Sequence, residues 1–314
     1  MNQSKKLTEG AIYTAIYLVL LFVSFIPILS VIIGFILPIP FVIYSSRHGI
    51  KSGGLMLVAT ALLTALFFTL IFLPITLLMG VAGILIGHGI HKKLSAYETW
   101  GFGTLGYIGG ILFIFVFFQL LLDVNFLQEL ETTGREQMET YIQMIEGFGL
   151  EQHADINLET VMIEQMELLM NLVPALVAIS AAFMAFVVQW LSYKIINRMN
   201  KKNHRFPPFR NLKLPVSIIW LYLIVVIVSL VSTDTEGFLA VSFQNALLVL
   251  EILLAIQGFS FIFFFTHYKK MSKAIPVISI ILTAMFPLIL LSFVRILGII
   301  DIGLDLRERM QKKK

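Results

Sequence analysis

From Gly10 to Tyr44 the chain contains no Asp, Glu, Lys, Arg or His. A helix needs about 20 mostly apolar residues to cross the hydrocarbon of a bilayer, within a range of about 17–25, and this run exceeds what one crossing needs. Similar runs recur along the 314 residues, of which 58% are hydrophobic and 13% charged; the mean hydropathy is +0.90. Soluble domains carry about a quarter charged residues, so this chain cannot clothe itself in a polar shell. Disorder is excluded as well, since it requires low hydrophobicity and high charge. The fold class read from these features is all-α, a polytopic integral membrane protein.

Nine transmembrane helices are predicted, with eight and ten as the neighbouring counts. They lie near 10–27, 31–44, 53–73, 74–90, 100–122, 171–195, 215–232, 239–266 and 275–295. Pro27 and Pro74 punctuate the runs, because proline starts or ends a helix more readily than it continues one. Lys5 and Lys6 precede an apolar run too long for a signal peptide and without a small-residue cleavage site. Lys and Arg concentrate on the cytoplasmic side of membrane proteins. With the N-terminus inside, segments 1–9, 45–52, 91–99, 194–214 and 267–274 hold 16 of the 23 Lys and Arg. The localisation that follows is the plasma membrane of a bacterium. Nine crossings put the tail outside, yet it carries Arg307, Arg309 and Lys312–Lys314. Two arrangements stay open: an outer tail, or a last apolar region that folds back at Pro287.

Five regions follow from this map. Residues 1–122 and 171–196 form a membrane core, 123–170 an acidic outer insertion, 197–214 a basic cytoplasmic loop, 215–297 further spans, and 298–314 a charged tail. The insertion holds eleven carboxylates against Arg135. Met138, Ile142, Ile145 and Phe148 repeat at helical spacing, which predicts a surface amphipathic helix ended by Gly147 and Gly149. Asn157 is placed to cap a second helix carrying Val161, Met162, Met166 and Leu169. The pair reads either as a lid over an outward pocket or as a solvated hairpin between two spans.

Catalytic signatures are lacking. The sequence has no phosphate-cradling G-x-x-x-x-G-K-[ST] loop, no H-E-x-x-H zinc helix, no G-x-S-x-G elbow and no cysteine. The expectation is a protein that is not an enzyme and takes no cofactor, with energy for any transport supplied by an ion gradient or a separate ATPase. His88 and His91 share a helix face near His48, but two imidazoles fall short of a zinc site; no metal is assigned. Glu251 is the carboxylate that falls within an assigned span, and charge at that depth costs about 2.5–3.5 kcal/mol on insertion scales. It reads as a coupling acid or as a hydrogen-bonded link between helices, with Arg295, near a span end, as a conceivable partner. The first six spans offer no polar constellation. Small residues at four-residue spacing, such as Ala11 and Ala15, or Gly83 and Gly87, let helices approach closely in lipid. The stretch 194–214 is placed to enforce topology, and also to meet anionic lipid at about 1 kcal/mol per basic residue. No nucleic-acid module is evident.

The first six spans combine the Ala11/Ala15 helix, the proline-bearing Leu37-Pro38-Ile39-Pro40 element, "RHGIKSGGLMLVATALLT" and "GVAGILIGHGIHKK". This pattern resembles the substrate-binding S components of energy-coupling factor transporters, over 1–122 and 171–196. The resemblance implies that Ala11 and Ala15 face a transmembrane coupling subunit served by ATPases. It also implies that outer-half residues Gln119, Asn125 and Asn171 contact a small-molecule ligand. Over its whole length, including the terminal "RILGIIDIGLDLRER", the chain resembles the YybS-like family of polytopic membrane proteins from Gram-positive bacteria. The leading expectation is a transport-related binding subunit. A scaffold or regulator without a solute, and an ion-coupled carrier using Glu251, are the alternatives.

Overall fold

The computed structural model describes residues 3–147, 158–201, 203–231 and 237–312. Every regular element among them is helical, and seven helices are long and apolar enough to cross a membrane. The chain divides into two units, Met1–Arg205 and Phe206–Lys314.

Unit 1 begins with α1 (Gln3–Val23), α2 (Pro27–Ile36), α3 (Ile39–His48), α4 (Ile50–Phe67), α5 (Leu73–His91) and α6 (Ala96–Leu122). The helix starts are written in the sequence. Pro27 and Pro74 occupy first-turn positions, where the missing N–H has no helical partner in any case. Ser95 and Glu98 cap α6 reciprocally: Ser95 Oγ accepts from the Glu98 N–H at 3.2 Å, and the Ser95 N–H donates to Glu98 Oε2 at 2.8 Å. Gly49 joins α3 to α4 at φ 80°, a left-handed conformation costly for side chains with a Cβ. The two proline-marked pieces α2 and α3 together make one span, Pro27–His48.

In the centre of the unit α5 packs against α3, α4 and α6, and α9 (Val173–Asn200) against α6. The glycines of α5 allow contact at backbone distance: a Cβ on Gly87 would lie 2.7 Å from the Val42 carbonyl oxygen. Outward residues such as Phe22, Leu66 and Leu120 are 70–80% exposed. Apolar side chains in that number on the outside suit a lipid solvent rather than water.

The acidic insertion forms α7 (Phe126–Gly147) and α8 (Leu158–Asn171). Met138, Ile142 and Ile145 are half-buried while their neighbours face out, as their spacing predicts. On α8 Met162 and Met166 are half-covered, but Val161 and Leu169 are exposed. Phe148, Gly149 and Asn157 lie outside the described residues.

Unit 2 holds α10 (Ser217–Val231), α11 (Phe238–Tyr268), α12 (Ala274–Met285), α13 (Pro287–Gly303) and α14 (Leu306–Lys312). Here the sequence-derived map needs correction. The predicted span 275–295 is two helices broken at Phe286, and the second runs on past 297 to Gly303. α12 leaves from the C-terminal end of α11, and α13 returns there. Tyr268, the last residue of α11, donates to the Met310 carbonyl at 2.6 Å, and Arg307 donates to the Arg210 carbonyl at 2.8 Å. The last apolar region is thus a hairpin with Pro287 opening its return arm, which is the fold-back arrangement. It sets the tail at the same end of unit 2 as Lys213 and Lys269. The crossing of α11 by α13 is glycine on glycine, with Gly298 against the Leu254 carbonyl and Gly258 against that of Val294.

Candidate functional site

The most elaborate polar arrangement sits at the α11–α13 crossing. Asp301 is 1% exposed and Arg307 is 7% exposed. Arg307 Nε donates to Asp301 Oδ1 at 3.1 Å and Oδ2 at 2.9 Å, and its Nη2 reaches Oδ2 at 2.7 Å. Gln257 Nε2 donates to the same carboxylate, while its Oε1 accepts the Leu214 N–H at 3.0 Å. Ser260 Oγ lies 2.8 Å from the Phe209 carbonyl and 2.9 Å from that of Leu212. The network closes: both carboxylate oxygens, the guanidinium and the carbonyls of Phe209, Arg210 and Leu212 are engaged. Buried charge held in this way fixes geometry. What it fixes is the strap 206–214, pinned across α11.

That strap is the C-terminal part of the predicted cytoplasmic loop 197–214; its first residues, 197–200, still belong to α9. Lys213 bridges to Asp305 at 2.7 Å and to Glu308 at 3.0 Å. Hydrogen bonds to those two carboxylates, Asp305 first, hold the Lys213 ammonium above the ordinary lysine value.

Asp301 and Arg307 were missed because the tail was taken to begin at 298. The signal lay in "RILGIIDIG", where one acid interrupts an apolar run. Glu251 is therefore not the sole acid in an apolar helix. Arg295, expected near a span end, sits inside α13 and forms an ion pair with Glu251. Its Nη2 also donates to Ser292 Oγ at 2.9 Å.

In unit 1 the small residues divide into two sets. Gly103 meets Ile86 and Ala185, and Gly106 meets Ala82, so these rows serve internal packing. Ala11 and Ala15 are exposed, on a face continued by Ile12, Ile16 and Val19. Gly101 and Gly109 of α6 also face open space. The interior is not free of polar groups, contrary to expectation. Tyr17 donates to Thr76 Oγ1 at 3.0 Å, Thr76 Oγ1 lies 3.3 Å from Thr64 Oγ1, and Thr14 and Thr60 pair at 3.2 Å. All five are buried.

The proposed ligand contacts lie on the surface. Gln119 is exposed on α6, and Asn171 is exposed at the end of α8. Asn125 Oδ1 accepts the N–H groups of Leu127 at 3.1 Å and Gln128 at 3.3 Å, as the N-cap of α7. The histidines do not converge. His48 pairs with Glu9 at 2.9 Å, His91 meets the Ser46 carbonyl at 3.1 Å, and His88 stands edge-on to Phe102. Among the described residues no group of three or more His, Asp or Glu is placed to hold a metal ion.

The family described as "Predicted membrane protein (DUF2232)" matches residues 13–302. The chain is similar to the "Uncharacterized protein YybS" of Bacillus subtilis (strain 168), at 30% identity over 315 aligned positions, covering 99% of this chain and 100% of that protein. No solved structure matches.

Proposed function

The chain belongs to the DUF2232 family of predicted membrane proteins, and from that premise we propose a transport-related, small-molecule-binding subunit of the bacterial plasma membrane. It lies with its N-terminus inside and works with a transmembrane coupling subunit and separate ATPases. The observation that carries the reading is the uncovered Ala11/Ala15 face of α1, in a unit where Gly83, Gly87, Gly103 and Gly106 are packed against neighbouring helices. In lipid, helices associate through close van der Waals contact at small residues, so an open row offers a seam to a second membrane protein. The resemblance of unit 1 to the S components supports the same choice of partner. Gln119 and Asn171 are the candidate ligand contacts, and Asn125 serves α7 as its cap. The reading includes no enzymatic step.

Affinity purification from native membranes tests it. The unaltered chain should bring down a coupling subunit and ATPases. The variant A11L/A15L should lose them while keeping its own melting temperature, since the face is exposed. Identical partner sets for the two chains would overturn the seam. A partner set without a coupling subunit or ATPases would leave the scaffold or regulator.

The Glu251–Arg295 pair favours a second reading, an ion-coupled carrier. In that case E251Q abolishes proton or sodium coupling in proteoliposomes. Full coupling in that variant excludes it.

A further inference from the structure

Beside the strap, unit 2 contains a half-open cavity of about 650 Å³, within the usual span of about 300–1,000 Å³ for small-molecule sites. Four segments wall it: the strap at 208–210, the last turns of α11, the link at 270–273, and the first turn of α12. Its chemistry is split. Phe209, Phe263, Pro276 and Val277 supply an apolar wall, and Phe209 and Phe263 meet edge to face at 5.4 Å. Arg210, Lys270 and Lys273 supply three positive charges, with His267 beside them. None of the eleven lining residues is an acid. Among the described residues none of these three cations has a carboxylate within ion-pair distance, the strap's acidic partners being taken by Lys213.

The walls are held in place. The Phe209 and Arg210 carbonyls are tied to Ser260 and Arg307. At the far side Lys270 adopts φ 54°, and the Met271 N–H returns to the Thr266 carbonyl at 2.9 Å, which fixes the turn out of α11. A cavity fixed before binding spends little of its affinity on ordering itself.

The cavity also sits where α11 changes character. Phe261, Phe263, Phe264 and Phe265 give way within two turns to His267, Lys269 and Lys270, the sequence sign of a helix passing from hydrocarbon to headgroups. We propose that this cavity binds the headgroup of an anionic glycerophospholipid. The phosphate lies among Arg210, Lys270 and Lys273, and the first acyl carbons lie along Phe263 and Val277. An amphiphile with one negative group and an apolar stem matches both halves of the lining. A free phosphate compound would use only the cationic half.

Native mass spectrometry of the full chain, released from nanodiscs of equal phosphatidylglycerol and phosphatidylcholine, tests the assignment. The unaltered chain should retain phosphatidylglycerol in preference to phosphatidylcholine. Each basic residue near a membrane surface contributes about five-fold in affinity for anionic lipid. K270Q/K273Q should therefore lose retention by about 25-fold, whereas K270R/K273R should keep it. K92Q/K93Q, which removes two cations outside the cavity, should match the unaltered chain. Retention unchanged in K270Q/K273Q, lost in K270R/K273R, or lost equally in K92Q/K93Q would overturn the site. Displacement of the lipid by millimolar inorganic phosphate would transfer the cavity to a soluble phosphate compound and overturn the lipid assignment.

Discussion

Asp301 shows how much depends on single partners in this molecule. A carboxylate 1% exposed is tolerable because Arg307 and Gln257 face it. Removing one member of a buried pair costs about 3–5 kcal/mol, whereas replacing both members by apolar groups is often neutral. Arg307→Met should therefore destabilise the full chain by about that amount in denaturant titrations at fixed detergent. Asp301→Leu combined with Arg307→Met should recover most of the loss. Equal stabilities for the single and double variants would refute this account. Lys213 behaves differently because it is partly exposed, and its contribution is correspondingly small. Its folded value is raised by Asp305 and Glu308. Its contribution is therefore full below the unfolded lysine value of about 10.4 and is lost as pH rises through the folded one. A spin label at Gln311 should gain mobility over that alkaline window and stay immobile below it.

At the scale of helices, what the sequence revealed and what it concealed divide along a physical line. Local grammar was legible. Pro27 and Pro74 start helices, and Met138, Ile142 and Ile145 mark the covered side of α7 as their spacing said. Pairing between distant residues was not legible. The partner of Gln257 lies 44 residues on, and helical periodicity carries no record of that distance. The end of α13 was lost for a related reason: one acid in an apolar stretch reads as the start of a tail unless a buried guanidinium is already known to meet it. The same crossing of α11 and α13 yields a sharp test. Any side chain at Gly298 points into the Leu254 carbonyl. Overpacked cores lose about 1–3 kcal/mol, and backbone on the far side cannot swing away. Gly298→Leu should lower the melting temperature well below that of Gly303→Ala, where the nearest atom would be Ile219 Cδ1 at 3.5 Å. Matching melting curves would show that the helices do not meet there.

For the molecule as a whole, the hydropathy profile settled the solvent, and its proline breaks placed most spans. The final turn of the chain required the structure, since hydropathy scores an ascending arm followed by a descending arm as one apolar stretch. The hairpin makes a definite statement about sidedness. The natural chain has no cysteine, so single cysteines report cleanly. Asn211→Cys, Ser272→Cys and Gln311→Cys should all react with an impermeant maleimide from one and the same face of sealed vesicles. Labelling of Gln311→Cys from the opposite face would refute the hairpin.

The tie between Arg307 and the Arg210 carbonyl spans 97 positions of sequence. While residues 215–300 are being made, the strap exists but its anchor does not. The strap therefore cannot be fastened until Arg307 has been made, after all of α10 to α13. A messenger truncated just before Asp301 would yield a chain threaded through the membrane with its strap unfastened, a ready substrate for quality-control proteases.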